Sequence, residues 1–185
     1  MFGKGRVEVS GGFLLLMAWL NYCDTQDLLP LFLCAAAAHE AGHLAVIYAL
    51  GGSVSRLRLT VAGAELMLKG TLSYGRDALC ALGGPLVNLV LGFWAAKRGA
   101  QVFAGLNVAL GVFNLLPVGV LDGGRILSAL GAFLFGPRSA GRLLCFTEQA
   151  LVAGLLVCGV IALRNGGNAT LLTVAVWLFS RTKKT

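Results

Sequence analysis

Charge is scarce in this sequence. Only 12% of its 185 residues are Asp, Glu, Lys or Arg, and 57% are hydrophobic. An ordinary soluble domain carries about twice that charged share. The balance excludes a soluble globular protein and indicates an integral membrane protein. Cysteine is present five times, an odd number, with no C-x-x-C pair. That excludes a disulfide framework and a Cys-rich zinc site; thiols in apolar runs behave as small hydrophobes. The formal net charge is +7. Its basic residues are dispersed between apolar runs without interleaved aromatics, so they read as topology signals, not as a nucleic-acid surface. The sequence shows no repeat and no low-complexity segment, and no appended soluble domain is expected. A short apolar run follows the basic Lys4 and Arg6, and no small-x-small cleavage site follows it, so it is read as a first span and no removed leader is expected.

Histidine is scarcer still, with two residues, His39 and His43. They stand four apart inside an apolar run from Leu28 to Leu50, and one of only four glutamates, Glu40, follows the first. On a helix, positions four apart share a face. Two imidazoles so placed can bind one metal ion, with the neighbouring carboxylate serving as general base to water; His-Glu-x-x-His is the zinc hydrolase arrangement. Such a pattern also arises by accident. Ionisable groups in a membrane span are costly, however, and are functional by default. A metal transporter uses intramembrane His and Asp as well, but does not need a Glu in that position.

The chain reads as an all-α polytopic membrane protein of about six transmembrane helices. The candidate spans are Gly11–Tyr22, Leu28–Leu50, Ala78–Ala96, Val102 to about Leu116, Phe146–Leu163 and Ala169–Ser180. Asp24 and Asp27 mark the first loop. Four alanines before His39, and Gly42 after it, keep the second helix slim, which favours close approach of a neighbour in a membrane. Between the second and third spans, Arg56 to Val61 alternates polar and apolar, and Glu65 to Lys69 is β-compatible. This predicts a short membrane-face β-hairpin, with a solvated loop as the plain alternative; an exposed edge there could be extended by a substrate strand. Gly83-Gly84-Pro85-Leu86-Val87-Asn88 is read as the kinkable start of the third span with one buried amide. Pro117, after Asn114-Leu115-Leu116, should break that helix, and an apolar helical pattern resumes at Arg125. Unwound backbone at membrane depth is tolerated where it lines a cavity or is buried in protein.

With both termini in the cytoplasm, the inside segments hold Lys4, Arg6, Arg56, Arg58, Lys69, Arg76, Arg138, Arg142, Arg181, Lys183 and Lys184, and the outside segments Lys97, Arg98 and Arg164. That asymmetry supports the orientation. His43 then lies ~10 Å from the cytoplasmic end of its helix at 1.5 Å per residue, and Asp122 arrives at a similar depth. A catalytic zinc keeps three protein ligands. No third histidine exists, and Cys34 falls on another part of the helix surface. Asp122 is the acidic candidate, with an N-cap role for the following helix as an equal alternative.

His39-Glu40-Ala41-Gly42-His43, together with Asn114-x-x-Pro117-x-x-x-x-Asp122-Gly123, resembles the site-2 protease family of intramembrane zinc metalloproteases. Gly84-Pro85-x-x-Asn88 is similar to a further signature of that family. The resemblance covers about residues 28–130. It implies one Zn²⁺ per chain on His39, His43 and Asp122, with Glu40 as the catalytic base. It implies Asn114, and more weakly Asn88, as groups that hold substrate or stabilise the transition state. The implied function is an intramembrane zinc metalloendopeptidase cutting a transmembrane or membrane-associated protein; an inactive relative or a metal transporter are the alternatives. The same donor set can hold Fe(II). Residues 1–185 are expected to form a single protease domain without PDZ or CBS modules. That is similar to the minimal branch that processes a sporulation pro-sigma factor, in a bacterial cytoplasmic or forespore-surrounding membrane. The active site would face the cytoplasm. The implied partners are the protein substrate, the lipid bilayer and a regulatory membrane protein, with no nucleic acid.

Overall fold

A computed structural model describes residues 6–60 and 63–182. Val61 and Ala62, within the expected hairpin, lie outside the described residues, as do Lys4, Lys183 and Lys184. The chain groups into two units, Met1–Phe113 and Asn114–Thr185.

The first unit begins with β1 (Arg6–Val9) and α1 (Gly11–Cys23). Ser10 caps α1 by accepting the Phe13 N–H on its hydroxyl at 3.2 Å. Next come α2 (Leu28–Ala49), β2 (Val54–Thr60), β3 (Gly63–Leu68), α3 (Tyr74–Lys97) and α4 (Gln101–Asn114). The hairpin expected from the alternation is present as β2 and β3, antiparallel, with Leu57 opposite Leu66. It belongs to a three-stranded sheet in the order β1-β2-β3. β1 runs parallel to β2, with Val7 opposite Leu57, and Glu8 pairs with Arg56 at 3.2 Å. No strand is expected ahead of Gly11 from the basic residues there, yet Arg6-Val7-Glu8-Val9 alternates with a period of two, the strand signature.

The second unit holds α5 (Asp122–Phe135), α6 (Pro137–Arg164) and α7 (Thr170–Thr182), packed in sequence order. Gly136 separates α5 from α6 at φ 83°, a left-handed backbone that glycine tolerates without steric cost.

Among the described residues, α2, α3 and α6 are long and apolar enough to cross a membrane. The three shorter apolar stretches are Gly11–Cys23, Gln101–Asn114 and Thr170–Ser180. At 1.5 Å per residue, 13 residues reach ~20 Å, less than the ~30 Å hydrocarbon core. The helices do coincide with the six expected segments, but α3 begins four residues before Ala78 and α6 nine before Phe146. Gly83-Gly84-Pro85 therefore lies in the middle of α3, not at its start.

Burial runs opposite to that of a water-soluble protein. α1 has no buried residue, and Trp19 and Tyr22 are 64% and 83% exposed. Phe93, Trp94, Phe133 and Phe146 also face outward. Small and polar residues are prominent among the buried ones, with Ala35, Ala81, His39, His43, Asn88, Asn107, Asp122 and Glu148 beside aliphatic Ile47, Val118, Val152 and Leu178. Lipid favours an apolar exterior and leaves association to close packing and polar contacts. At the end of α3, Lys97 lies over the Phe93 ring and Arg98 over the Trp94 ring, at 4.7 and 4.3 Å, as basic and aromatic groups gather at a membrane interface.

Candidate metal centre

Helix α2 buries one stripe, Ala35, His39, Gly42, His43 and Ile47, spaced so that all of it faces α3. The two helices meet backbone to backbone. A Cβ on Gly42 would lie 2.5 Å from the Gly83 carbonyl oxygen, and one on Gly83 would lie 2.6 Å from that of Gly42. This proximity brings the imidazoles of α2 onto the main chain and the amide of α3.

Each imidazole is anchored by Nδ1. His39 Nδ1 lies 2.6 Å from Asn88 Oδ1. The Asn88 amide nitrogen donates to the Ala35 carbonyl at 3.1 Å and to Asn107 Oδ1 at 2.9 Å. Both partners are acceptors, which settles the amide's orientation and leaves Oδ1 toward His39, so His39 Nδ1 is the donor. Asn107 in turn donates to the Phe103 carbonyl at 2.9 Å. Asn88 and Asn107 are both 0% exposed. His43 Nδ1 lies 2.7 Å from the Cys80 carbonyl oxygen, which can only accept. The Gly84 N–H lies 3.3 Å from the same nitrogen, which in that tautomer carries a proton and does not accept from it. Pro85, the next residue, has no N–H to give the helix.

With Nδ1–H used on both rings, Nε2 is the lone-pair donor of each, and the two Nε2 atoms are 3.1 Å apart. The rings stand nearly perpendicular, at 85°. Adjacent lone pairs repel unless they share a cation, and second-shell bonds to Nδ1 are how proteins fix a metal-binding imidazole. Gly84 borders this pair: a Cβ on it would come within 2.7 Å of His39 Nε2 and closer still to His43 Nε2. Only glycine leaves that ground clear. The arrangement fits a metal ion.

Glu40 follows His39 on α2 and is half-buried. Asn114 is the last residue of α4, also half-buried. Asp122 is buried and is the first residue of α5, with Leu121 in the N-cap position and no side-chain cap bond. Leu121, not Asp122, therefore stands at the N-cap, and Arg125 Nη1 lies 4.0 Å from Asp122 Oδ1. The preceding turn folds tightly onto α5, with the Val118 amide bonding to Leu116 and that of Leu121 to Val118, both at 2.8 Å. A Cβ on Gly123 would strike the Leu115 and Leu116 carbonyls, and one on Gly124 the Val118 carbonyl. The Asp-Gly-Gly sequence is thus the condition for Asp122 to start its helix on this turn. His39 and His43 in the first unit and Asp122 in the second are all buried, and two imidazoles with a carboxylate are donor types suited to zinc.

Sequence reasoning singled out His39, Glu40, His43, Asn88, Asn114 and Asp122, and the fold brings His39, His43 and Asn88 together. It missed Asn107, the Cys80 carbonyl and the role of Gly84. A polar residue in an apolar span was the available signal for Asn107; the other two leave no trace in side-chain chemistry.

The description Peptidase family M50 matches residues 94–155. A zinc metalloprotease of Methanocaldococcus jannaschii is 25% identical over 80% of this chain and 46% of its own length. Rip3 of Mycobacterium tuberculosis, which carries a provisional zinc metalloprotease name, is 30% identical over 81% of this chain and 45% of its own. The chain spans about half the length of these curated relatives. The fold is similar to that of the site-2 protease from Methanocaldococcus jannaschii, with a TM-score of 0.70 at 21% identity over 96% of this chain and 89% of that one. The family match over residues 94–155, the relatives named zinc metalloproteases and the site-2 protease fold point the same way, and the chain is similar to peptidase family M50 in sequence and to the site-2 protease in fold.

Proposed function

We propose that this chain is an intramembrane zinc metalloendopeptidase. The observation that carries the reading is the pair of imidazoles locked at Nδ1, with their Nε2 atoms 3.1 Å apart beside Gly84. In this reading His39, His43 and Asp122 hold the ion. Zinc would supply Lewis acidity, polarising a peptide carbonyl and making water a better nucleophile at neutral pH. Glu40 takes a proton from the attacking water as its oxygen bonds to the carbonyl carbon. It then returns that proton to the leaving nitrogen as the C–N bond breaks, the ordinary cycle of a general base turned acid. Asn114 is proposed to hold the substrate or donate to the developing oxyanion. Asn88 is proposed to orient His39, because its amide already serves His39, Ala35 and Asn107.

The substrate is proposed to be a transmembrane or membrane-associated protein segment. A helix hides its peptide bonds, so the segment must unwind to be cut. An unwound strand could pair with β3, an edge of the sheet, by main-chain hydrogen bonds. The six apolar segments are proposed as six spans of one protease domain, in a bacterial membrane, with the site toward the cytoplasm. The distribution of basic residues supports that orientation.

Metal content per chain tests the reading, with wild type measured beside Asp122→Ala and Glu40→Gln. About one zinc is expected in wild type and Glu40→Gln, and far less in Asp122→Ala, as three-ligand binding requires. Hydrolysis of a single-span peptide in detergent should then survive only in wild type. No bound zinc in folded wild type sinks the proposal, and so does undiminished cleavage by Glu40→Gln. Iron in place of zinc would change the metal and leave the ligand assignment standing.

A further inference from the structure

Helix α6 buries a carboxylic side chain that the proposed chemistry does not use. Glu148 is 5% exposed, and its Oε1 has no hydrogen-bond partner among the described residues. Its other oxygen, Oε2, faces the turn before α5, where a Cβ on Gly119 would lie 3.8 Å away. Glu148 borders a cavity of about 330 Å³ walled by Cys145, Gln149, Val152, Leu156 and Phe179. That volume is at the lower end of ligand-binding pockets. α6 is a candidate membrane span. A buried acid in such a helix calls for a partner, and an oxygen without a donor forfeits free energy that a bound donor would recover.

The walls determine the class of partner. A hard metal ion asks for about six oxygen ligands. This cavity offers one carboxylate and the amide oxygen of Gln149, whose nitrogen is engaged with Cys145 Sγ at 3.3 Å. One polar end and otherwise apolar walls, with the Phe179 ring among them, suit an alkyl stem bearing a cationic donor. A charged donor makes the stronger bond to a carboxylate. Depth selects the source. Glu148 is eleven residues from Pro137 and sixteen from Arg164, roughly 16 and 24 Å along the helix. With α6 centred on a ~30 Å core, the carboxyl lies on the order of 10 Å below the headgroups. A lipid amine stays at the interface, whereas a lysine within a membrane helix sits at the required level.

We propose that the Glu148 cavity is a docking site for a second membrane-spanning protein segment, and that it receives one basic side chain carried near the middle of that segment. The proposal is independent of the zinc assignment. It fits a segment that would otherwise bear the cost of an unpaired intramembrane charge.

The experiment uses the full chain in phosphatidylcholine bilayers, whose headgroups have no N–H, with a synthetic Leu-Ala helix carrying one central lysine as probe. Association is read by energy transfer. The lysine peptide should bind about tenfold more tightly than its leucine counterpart, in keeping with one buried charge pair, and Glu148→Gln should erase the difference. On the unaltered chain, moving the lysine two turns toward the peptide end should also erase it; this arm needs no variant to fold. Equal binding of the lysine and leucine peptides overturns the proposal. A preference that survives Glu148→Gln with helix content unchanged also overturns it. Loss of the preference on changing the lipid to phosphatidylethanolamine would assign the cavity to a lipid amine instead, and would overturn it as well.

Discussion

At the scale of single residues, Asn88 sets which nitrogen His39 presents. Its amide is turned by Ala35 and Asn107, and the turned amide fixes the imidazole. Asn88→Ala is expected to lower zinc affinity about 10- to 100-fold, the usual cost of losing an outer-shell partner, and competition with a chelator measures it. Asn107→Ala should act in the same direction and more weakly, because it removes a neighbour of the neighbour. Gly84→Ala tests a different property. Its methyl group would overlap both Nε2 atoms, so zinc should be lost while the helix content in circular dichroism stays. Normal zinc in Gly84→Ala would show that the ion does not lie where the two Nε2 atoms meet. The His-Glu-x-x-His pattern was legible because helical spacing is local, and four residues suffice to place two rings on one face. The anchors were not. Asn88 and Asn107 are 19 residues apart in sequence, and the Cys80 carbonyl is 37 from His43. Their meeting depends on how three helices cross, and spacing along one helix does not reveal that.

At the scale of elements, α2 is held at its start and along its buried face by devices of different legibility. Its N-cap, Asp27, has a left-handed backbone at φ 54° and makes no side-chain cap bond. Asp24 takes over, accepting the Leu29 amide at 2.6 Å and the Leu28 amide at 3.0 Å. The Leu29 amide first, with those of Leu28 and Gln26, holds the Asp24 carboxyl below its usual 3.8, against a smaller opposing effect of desolvation. A carboxylate with a depressed folded pKa stabilises the fold above its unfolded value and loses that contribution as the pH falls through the folded one. The thermal stability of wild type should therefore exceed that of Asp24→Asn at neutral pH, and the gap should close below pH 3.8. A gap constant with pH would mean that the carboxylate's charge plays no part. Further along, the Gly42–Gly83 crossing allows no methyl group. Gly42→Ala should cost about 1–3 kcal/mol, the range for overpacking, read as a lowered unfolding midpoint in detergent. The sequence signalled a close approach through its small residues, but not the partner. It also set the start of α3 and α6 where apolar residues begin, whereas both helices continue through the polar residues before them, since a backbone ladder does not end where a bilayer does. β1 escaped notice because four residues give a weak period, and because its pairing partner is some fifty positions away.

For the whole molecule, the inverted burial pattern was legible from composition: so little charge and so much apolar surface require lipid around the chain. The number of crossings was less so. Hydropathy located six segments, and three of them form helices of spanning length. Reporter fusions after α1, α3 and α6 test the six-span proposal. Loops following α1 and α3 should report the same side, opposite to that of the β2–β3 hairpin. The sheet gives a second whole-molecule prediction. β2 is its middle strand, so Leu57→Pro or Leu59→Pro should disrupt the sheet itself, because proline removes a ladder hydrogen bond. Leu66→Pro, on the edge strand at a position whose N–H faces away from β2, should spare zinc binding and folding while slowing cleavage of a peptide that must be unwound. Equal cleavage would remove β3 from substrate capture.

The free thiols give the molecule a built-in depth gauge. Cys23, Cys34, Cys145 and Cys158 are exposed on the protein surface, and Cys80 is buried. Cys23 closes α1 beside the Asp24 loop, while Cys34 is six residues into α2, and Cys145 and Cys158 lie within α6. Thiol alkylation proceeds through the thiolate, which forms in water and not in hydrocarbon. In sealed vesicles a membrane-impermeant maleimide should find Cys23 from one side only and leave Cys34 and Cys158 untouched until detergent is added. The unaltered protein would thereby declare which way it faces.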